Sequence, residues 1–137
     1  MQRTIELNND IAEIPQLSDF IDSFAEEIGL DFSLTMSLNL AIEEAVVNVM
    51  KYAYPQGAQG KIGISANIDG DDVVFIISDS GVAFNPTTKS EVDINQMAED
   101  RPIGGLGIHL VRNIMDSVQY ERLNGKNILT LRKNKRA

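Results

Sequence analysis

The sequence predicts an α+β fold, a two-layer sandwich in which about three helices cover one face of a mixed, mainly antiparallel sheet. Segments with helical and with alternating apolar spacing are partly segregated along the chain, and this arrangement favours helices on one face of a sheet. The chain has 137 residues, 43% of them apolar and 23% charged, as is typical of one globular domain. We therefore expect residues 1–137 to form a single domain.

The first half of the chain predicts one strand and two helices. Alternation over residues 2–8 indicates a short strand. Apolar residues then recur at helical spacing over residues 14–28. Either Asp31 or Ser33 can cap a second helix that runs to about Tyr54.

The second half predicts two hairpins, with a long loop and a helix between them. Residues 81–106 show no clear periodicity, and an aperiodic loop of that length is often functional. Helical spacing returns over residues 106–115, and Asn124-Gly125 is a favoured tight turn. The predicted strands span residues 61–68, 73–77, 120–123 and 128–131.

Composition excludes several classes of protein. The chain has no cysteine, so it forms neither disulfides nor thiolate metal sites. A net charge of -8 argues against a direct nucleic-acid partner, which requires basic residues to neutralise phosphates. No apolar run has signal-peptide or membrane-spanning length. We expect a cytoplasmic protein with no membrane partner.

Glu44, Asn48 and Lys51 form the first candidate constellation. On a helix, residues four apart lie on one face, so Glu44 and Asn48 would project side by side. A carboxylate can take a proton and an amide oxygen can bind a hard cation. The pair suggests a metal–nucleotide site, although a polar stripe on a surface helix has the same spacing.

A second constellation follows the strand predicted at residues 73–77. Asp79 lies where this buried strand ends, and a buried carboxyl group there can accept a hydrogen bond from the exocyclic amine of adenine. Gly81 lets the backbone approach a flat ligand closely. An ordinary Asp/Gly turn would carry the same residues.

The third constellation is a glycine cluster that leads into the predicted helix at residues 106–115. Such a helix start presents free N–H groups at the positive end of the helix dipole, where phosphate binds. The cluster matches neither the P-loop nor the dinucleotide-binding pattern. Its residues are Gly104, Gly105, Leu106, Gly107 and Ile108.

The order of these three patterns is more specific than any one of them. Glu-x3-Asn, then Asp-x-Gly-x-x-Phe-Asn-Pro, then Gly-Gly-Leu-Gly-Ile resembles the asparagine box and the two glycine boxes of the GHKL ATPase/kinase superfamily. The resemblance covers about residues 41–133. Within that superfamily, the chain most resembles bacterial anti-sigma factor serine/threonine kinases. The resemblance rests on its compact size, on Ala53-Tyr54 and on Phe84-Asn85-Pro86.

This resemblance implies the histidine-kinase-like ATPase fold and assigns roles to individual residues. Glu44 would be the catalytic base that activates a serine or threonine hydroxyl of a partner protein. Asn48 would bind ATP through Mg²⁺, and Asp79 would bind the adenine amino group. A lid over ATP would span about residues 85–104. The other implied ATP-binding residues are Lys51, Gly81, Phe84, Gly104, Gly105, Leu106, Gly107 and Ile108.

The chain departs from the family pattern at two places. Tyr52 stands where kinases of this type often carry histidine, and Lys51-Tyr52 is similar to the histidine-kinase version of the box. Asn127 stands where the superfamily often has threonine, with Thr130 further along. His109, the only histidine, is interpreted as a structural residue and not as a phosphoacceptor.

The resemblance implies an ATP- and Mg²⁺-dependent serine/threonine kinase that acts as an anti-sigma-type regulator. Its expected substrate is an anti-sigma factor antagonist of the STAS type, with a sigma factor as a further partner and a homodimer as the assembly. Two alternatives stay open. One is an ATP-binding regulatory module with little transfer activity, and the other is a detached histidine-kinase catalytic domain.

Overall fold

The computed structural model describes residues 2–55, 57–88 and 107–136. In these ranges it contains five strands, three helices and two short 3-10 turns. The strands are β1 (Gln2–Asn8), β2 (Lys61–Asp69), β3 (Asp72–Asp79), β4 (Ser117–Leu123) and β5 (Lys126–Asn134). The helices are α1 (Ile14–Ile28), α2 (Phe32–Tyr52) and α3 (Gly107–Ile114).

The five strands form one sheet in the order β1-β2-β3-β5-β4, and every pairing between them is antiparallel. The predicted α+β sandwich with a mainly antiparallel sheet is confirmed. β4 begins at Ser117, three residues before its predicted start, because Val118 faces the core opposite Leu131 while polar neighbours face outward. No described helix is long and apolar enough to cross a bilayer.

The core lies between the helices and one face of the sheet. Alternate residues of the central strands point to this covered face and are buried. The rings of Phe24 on α1 and Phe75 on β3 pack in a T-shaped arrangement with centroids 6.1 Å apart. The buried sheet residues include Ile62, Ile64, Ala66, Phe75, Ile77, Leu129 and Leu131. The residues between them along each strand point to the opposite, open face of the sheet, which carries polar residues such as Thr4, Ser65 and Thr130.

Local signals define the α1–α2 hairpin. Gly29 adopts φ +75°, and its N–H donates to carbonyls of the last turn of α1. Asp31 caps α2, since its Oδ1 accepts a hydrogen bond of 2.7 Å from the Leu34 N–H. Asp31, and not Ser33, is therefore the cap. α2 packs against both α1 and α3 and therefore lies between them.

Candidate functional site

Asn127, the second residue of β5, organises the polar end of the covered face. Its Nδ2 donates to Asp79 Oδ1 at 2.9 Å and to the Val82 carbonyl at 2.8 Å. Its Oδ1 accepts from the Phe84 N–H at 3.1 Å and from the Tyr120 hydroxyl at 2.5 Å. The buried amide thus uses both donors and both acceptor positions. It joins β3, β4, β5 and the loop that follows β3.

Asp79 is the last residue of β3 and is buried on the covered face, opposite Asn127 in the sheet register. Its Oδ1 accepts the Asn127 bond and a second bond of 2.8 Å from the Gly81 N–H. Among the described residues, Oδ2 has no hydrogen bond assigned to it. The carboxyl group is therefore fixed through one oxygen, and the second is available to a donor from a ligand.

Gly81 lets the loop after β3 lie against the end of α2. The Val82 N–H donates to the Ala53 carbonyl at 2.7 Å. A Cβ atom on Gly81 would lie 2.2 Å from that same carbonyl oxygen, far inside van der Waals contact. Close packing against protein backbone therefore requires glycine at this position, and its predicted role beside a flat ligand stays a prediction.

Tyr54 ties the same loop to the start of β2. Its hydroxyl donates to the Lys61 carbonyl at 2.7 Å and accepts from the Ser80 N–H at 3.1 Å. Burial raises the pKa of Tyr54, and the nearby charge of Asp79 acts in the same direction. The hydroxyl therefore stays protonated at neutral pH and keeps both hydrogen bonds.

The second half of α2 carries Glu44 and Asn48 on adjacent turns. Asn48 is only 5% exposed, and its Oδ1 has no hydrogen-bond partner among the described residues. A buried amide oxygen without a partner is costly, so it fits a ligand that supplies a positive charge or a donor. A hard cation such as Mg²⁺ prefers this kind of oxygen and takes its other ligands from phosphates and water.

Glu43 and Glu44 differ in their surroundings although they are neighbours in sequence. The pKa of Glu43 is raised, mainly because the group is partly buried and also because of the negative charges of Asp22 and Glu44. Glu43 therefore lies within reach of the Asp22 charge on α1, while Glu44 lies four residues before Asn48 on one helix face. A raised carboxyl pKa often marks a catalytic base, but here the acidic neighbour Asp22 on α1 contributes to it. Glu44 is the candidate base because it lies on the same helix face as Asn48, one turn away.

Phe84 and Lys51 lie around this end of α2. The ring of Phe84 packs on Tyr52 with centroids 5.3 Å apart, which fixes the chain after the Gly81 turn. Lys51 lies on the wall of a cavity of about 700 Å³, which is also lined by residues 57–60 and by residues that follow β1. Phe84 thus lies where α2 meets the β3 loop, whereas the described lining of the Lys51 cavity contains no residue of that loop.

The predicted phosphate-binding cluster is described only in part. Gly107 begins α3, and Ile108 buries its side chain in the core while its backbone lies in the first helical turn. N–H groups in a first turn have no partner within the helix. Gly104, Gly105 and Leu106 lie outside the described residues, as does most of the predicted lid from residue 89 onward.

Sequence reasoning gave too little weight to Asn127 and missed Tyr120. Asn127, Leu129 and Leu131 alternate onto the covered face, and a polar residue at the head of that row was a usable signal. Tyr120 carried no local signal, because its role depends on the β4–β5 pairing. This region therefore offers an acceptor for an amine, an amide oxygen with no partner in the described part of the chain, and a carboxylate one turn away from that oxygen on α2.

The fold and the residues of this polar end fit an ATPase domain of the histidine kinase-like type. Residues 7–133 match the family model described as histidine kinase-like ATPase domain. The chain therefore belongs to this family, and the resemblance read from its three motifs is confirmed.

The curated relatives include protein kinases. The chain is 33% identical over 109 residues to the serine-protein kinase RsbW of Bacillus mycoides, covering 77% of this chain and 68% of that protein. It is 31% identical over 98 residues to the serine/threonine-protein kinase BtrW of Bordetella bronchiseptica, covering 72% and 69%. The chain thus spans about two thirds of the length of these relatives.

Solved structures share the fold. The RsbU and RsbW domains of Rv1364c from Mycobacterium tuberculosis match with a TM-score of 0.70 at 18% identity, over 98% of this chain and 32% of that one. The catalytic domain of the histidine kinase ThkA matches with a TM-score of 0.50 at 15% identity, over 97% of each chain. At these identities the likeness supports the fold alone.

Gly81→Ala tests the close contact between the β3 loop and α2. The new Cβ would displace the loop from Ala53, so we expect a loss of about 1–3 kcal/mol in the free energy of unfolding. Gly63→Ala is the matched control, because a Cβ there would lie 3.2 Å from the Ser78 hydroxyl oxygen and 4.0 Å from the Ser78 carbonyl oxygen. Urea denaturation of both variants checks this; equal stabilities would contradict the packing argument.

Glu43→Gln tests the acidic surroundings of that carboxyl group. Its raised pKa means that the folded state holds the proton to a higher pH than the unfolded chain does. Stability therefore falls as pH rises from the unfolded to the folded pKa. The variant should be more stable at pH 7 by about 0.2–1 kcal/mol, the scale of partly exposed charges. The gain should vanish below about pH 4; a destabilised variant at pH 7 would contradict this reading.

Proposed function

We propose that this chain binds Mg²⁺–ATP at its polar end and transfers the γ-phosphate to a serine or threonine of a partner protein. The observation that carries the proposal is the buried Asn48 Oδ1, which has no partner among the described residues and lies one turn from Glu44. A bound Mg²⁺ would offset the charge of the phosphates. Asn48 would hold that ion through its amide oxygen.

The adenine pocket in this proposal is built around Asp79. Its fixed Oδ1 leaves Oδ2 to accept a hydrogen bond from the exocyclic amine of adenine. Asn127 and Gly81 hold the carboxyl group in place, so it does not need to reorganise when the base binds. Guanine presents a carbonyl at the corresponding position, and two acceptors would repel. The arrangement therefore favours ATP over GTP.

Glu44 takes the role of general base in the proposal. It would accept the proton of the attacking hydroxyl and orient its oxygen toward the γ-phosphate. Lys51, Gly104, Gly105, Leu106, Gly107 and Ile108 would contact phosphates, and Phe84 would support the base pocket through Tyr52. The expected single domain of residues 1–137 and a cytoplasmic location belong to the same proposal.

The partners proposed here follow from the relatives, which include several serine-protein kinases named RsbW. We infer an anti-sigma-type regulator whose substrate is a STAS-type antagonist. A phosphate on the antagonist would add close to two negative charges at its interface and weaken its binding to this acidic chain. A sigma factor as second partner and a homodimer complete the proposal.

Phosphate transfer to candidate STAS-type proteins tests the reaction. We expect label from γ-labelled ATP and Mg²⁺ to appear on a partner serine or threonine. Glu44→Gln should lower the rate by about 10² or more, since general-base catalysis contributes that much. Glu43→Gln is the matched control and should retain transfer within a few-fold.

Two outcomes would contradict this reaction, and a third would contradict the choice of Glu44 as its base. Label on a partner histidine or aspartate would favour the histidine-kinase alternative. ATP binding without transfer to any candidate would favour the regulatory module. A larger loss with Glu43→Gln than with Glu44→Gln would reassign the base.

A further inference from the structure

An apolar groove with acidic residues on its rim lies between α1 and the first half of α2. It has a volume of about 630 Å³. Ala25 and Leu30 form part of its floor, and Phe32 and Met36 form one wall. None of its lining residues belongs to the nucleotide site proposed above, so the groove is a separate feature of the molecule.

The wall on α2 continues as a stripe of exposed apolar side chains. Phe32, Met36 and Leu40 are spaced four apart and are 79%, 56% and 48% exposed. This spacing places them on neighbouring turns of one helix face over about 12 Å. Contiguous apolar surface of this kind marks an interaction site, whereas singly scattered apolar residues do not. We call these three residues the apolar stripe.

Carboxyl groups border the groove on the α1 side. Asp22 and Glu26 line it, and no lysine or arginine is among the described residues that do so. Asn39 donates to Asp22 at 2.8 Å and accepts from Ser18 at 3.2 Å, which holds this rim in place. The charge of Asp22 also reaches Glu43 on α2 and raises its pKa. The rim is therefore a region of negative charge that positive groups would relieve.

We propose that this groove binds a basic amphipathic helix of a partner protein. The apolar face of that helix would cover the apolar stripe, and its lysine or arginine side chains would face Asp22, Glu26 and Glu43. Helix-in-groove recognition uses apolar anchors on successive turns, and the stripe is two turns long. The proposal goes beyond the phosphoryl-transfer reaction and does not rest on it.

The negative charge of the rim favours a basic helix over two other occupants, a second copy of the chain and an anionic bilayer. A second copy of the chain would bring one acidic rim against another, which is unfavourable at close range. An anionic bilayer would be repelled for the same reason. A basic helix is the occupant that satisfies both the apolar stripe and the rim.

A synthetic helical peptide of leucine, lysine and alanine, with leucines on one face, is the probe. We expect its fluorescence anisotropy to rise on titration with the full chain, with affinity that falls as salt rises. Phe32→Ser and Met36→Ser should each weaken binding about tenfold or more. Leu123→Ser is the matched control, because Leu123 is 50% exposed but lies at the end of β4.

A second pair of variants tests the charge. Asp22→Asn with Glu26→Gln should weaken peptide binding and flatten its salt dependence. Glu6→Gln with Glu121→Gln makes the same change of charge on the open face of the sheet and should leave binding unchanged. All substituted residues are exposed, so the variants should keep the circular dichroism spectrum of the parent.

Specific results would overturn the proposal. Equal weakening by both charge pairs would mean that the peptide responds only to the net charge of the chain. Equal affinity for a peptide with glutamate in place of lysine would show that the acidic rim does not contribute to binding. A dimer that dissociates on Met36→Glu, measured by sedimentation, would make a second copy the occupant.

Discussion

The buried pairing of Asp79 with Asn127 is the interaction on which the polar end of the molecule depends. A carboxyl group inside a fold is tolerated only when it is hydrogen-bonded, and Asn127 supplies that bond while also holding the Val82 carbonyl and the Phe84 N–H. The loop after β3 is thereby brought onto the end of α2. Removing the Asn127 side chain would leave several buried groups unsatisfied at once.

Three parts of α2 have different roles: its buried side, its second half and the exposed side of its first half. Its buried side fills the core with residues such as Leu38 and Ile42. Its second half presents Asn48 to the interior of the proposed nucleotide site, at the cost of an amide oxygen with no protein partner among the described residues. Its first half leaves apolar side chains exposed beside an acidic rim. Such local departures from ideal burial are expected at functional sites.

The sequence was sufficient for the features that depend on local periodicity. The α1 range, the Asn124-Gly125 turn and the antiparallel hairpins follow from spacing and turn chemistry, and the structure has them. Asn127 could not be placed in the same way, since its bonds to Phe84 and Asp79 join residues 43 and 48 positions apart. The bond from Tyr120 to Asn127 depends on how β4 pairs with β5. The roles of Glu44 and Asn48 came from family resemblance and stay predictions.

The central claim is that Asn48 holds Mg²⁺ against bound ATP, and calorimetric titration of ATP with and without Mg²⁺ tests it most directly. For the parent chain we expect Mg²⁺ to strengthen ATP binding. Asn48→Leu keeps the side-chain shape but removes the oxygen, so the Mg²⁺-dependent gain should disappear while Mg²⁺-free binding persists. The same gain from Mg²⁺ in both proteins would contradict the account.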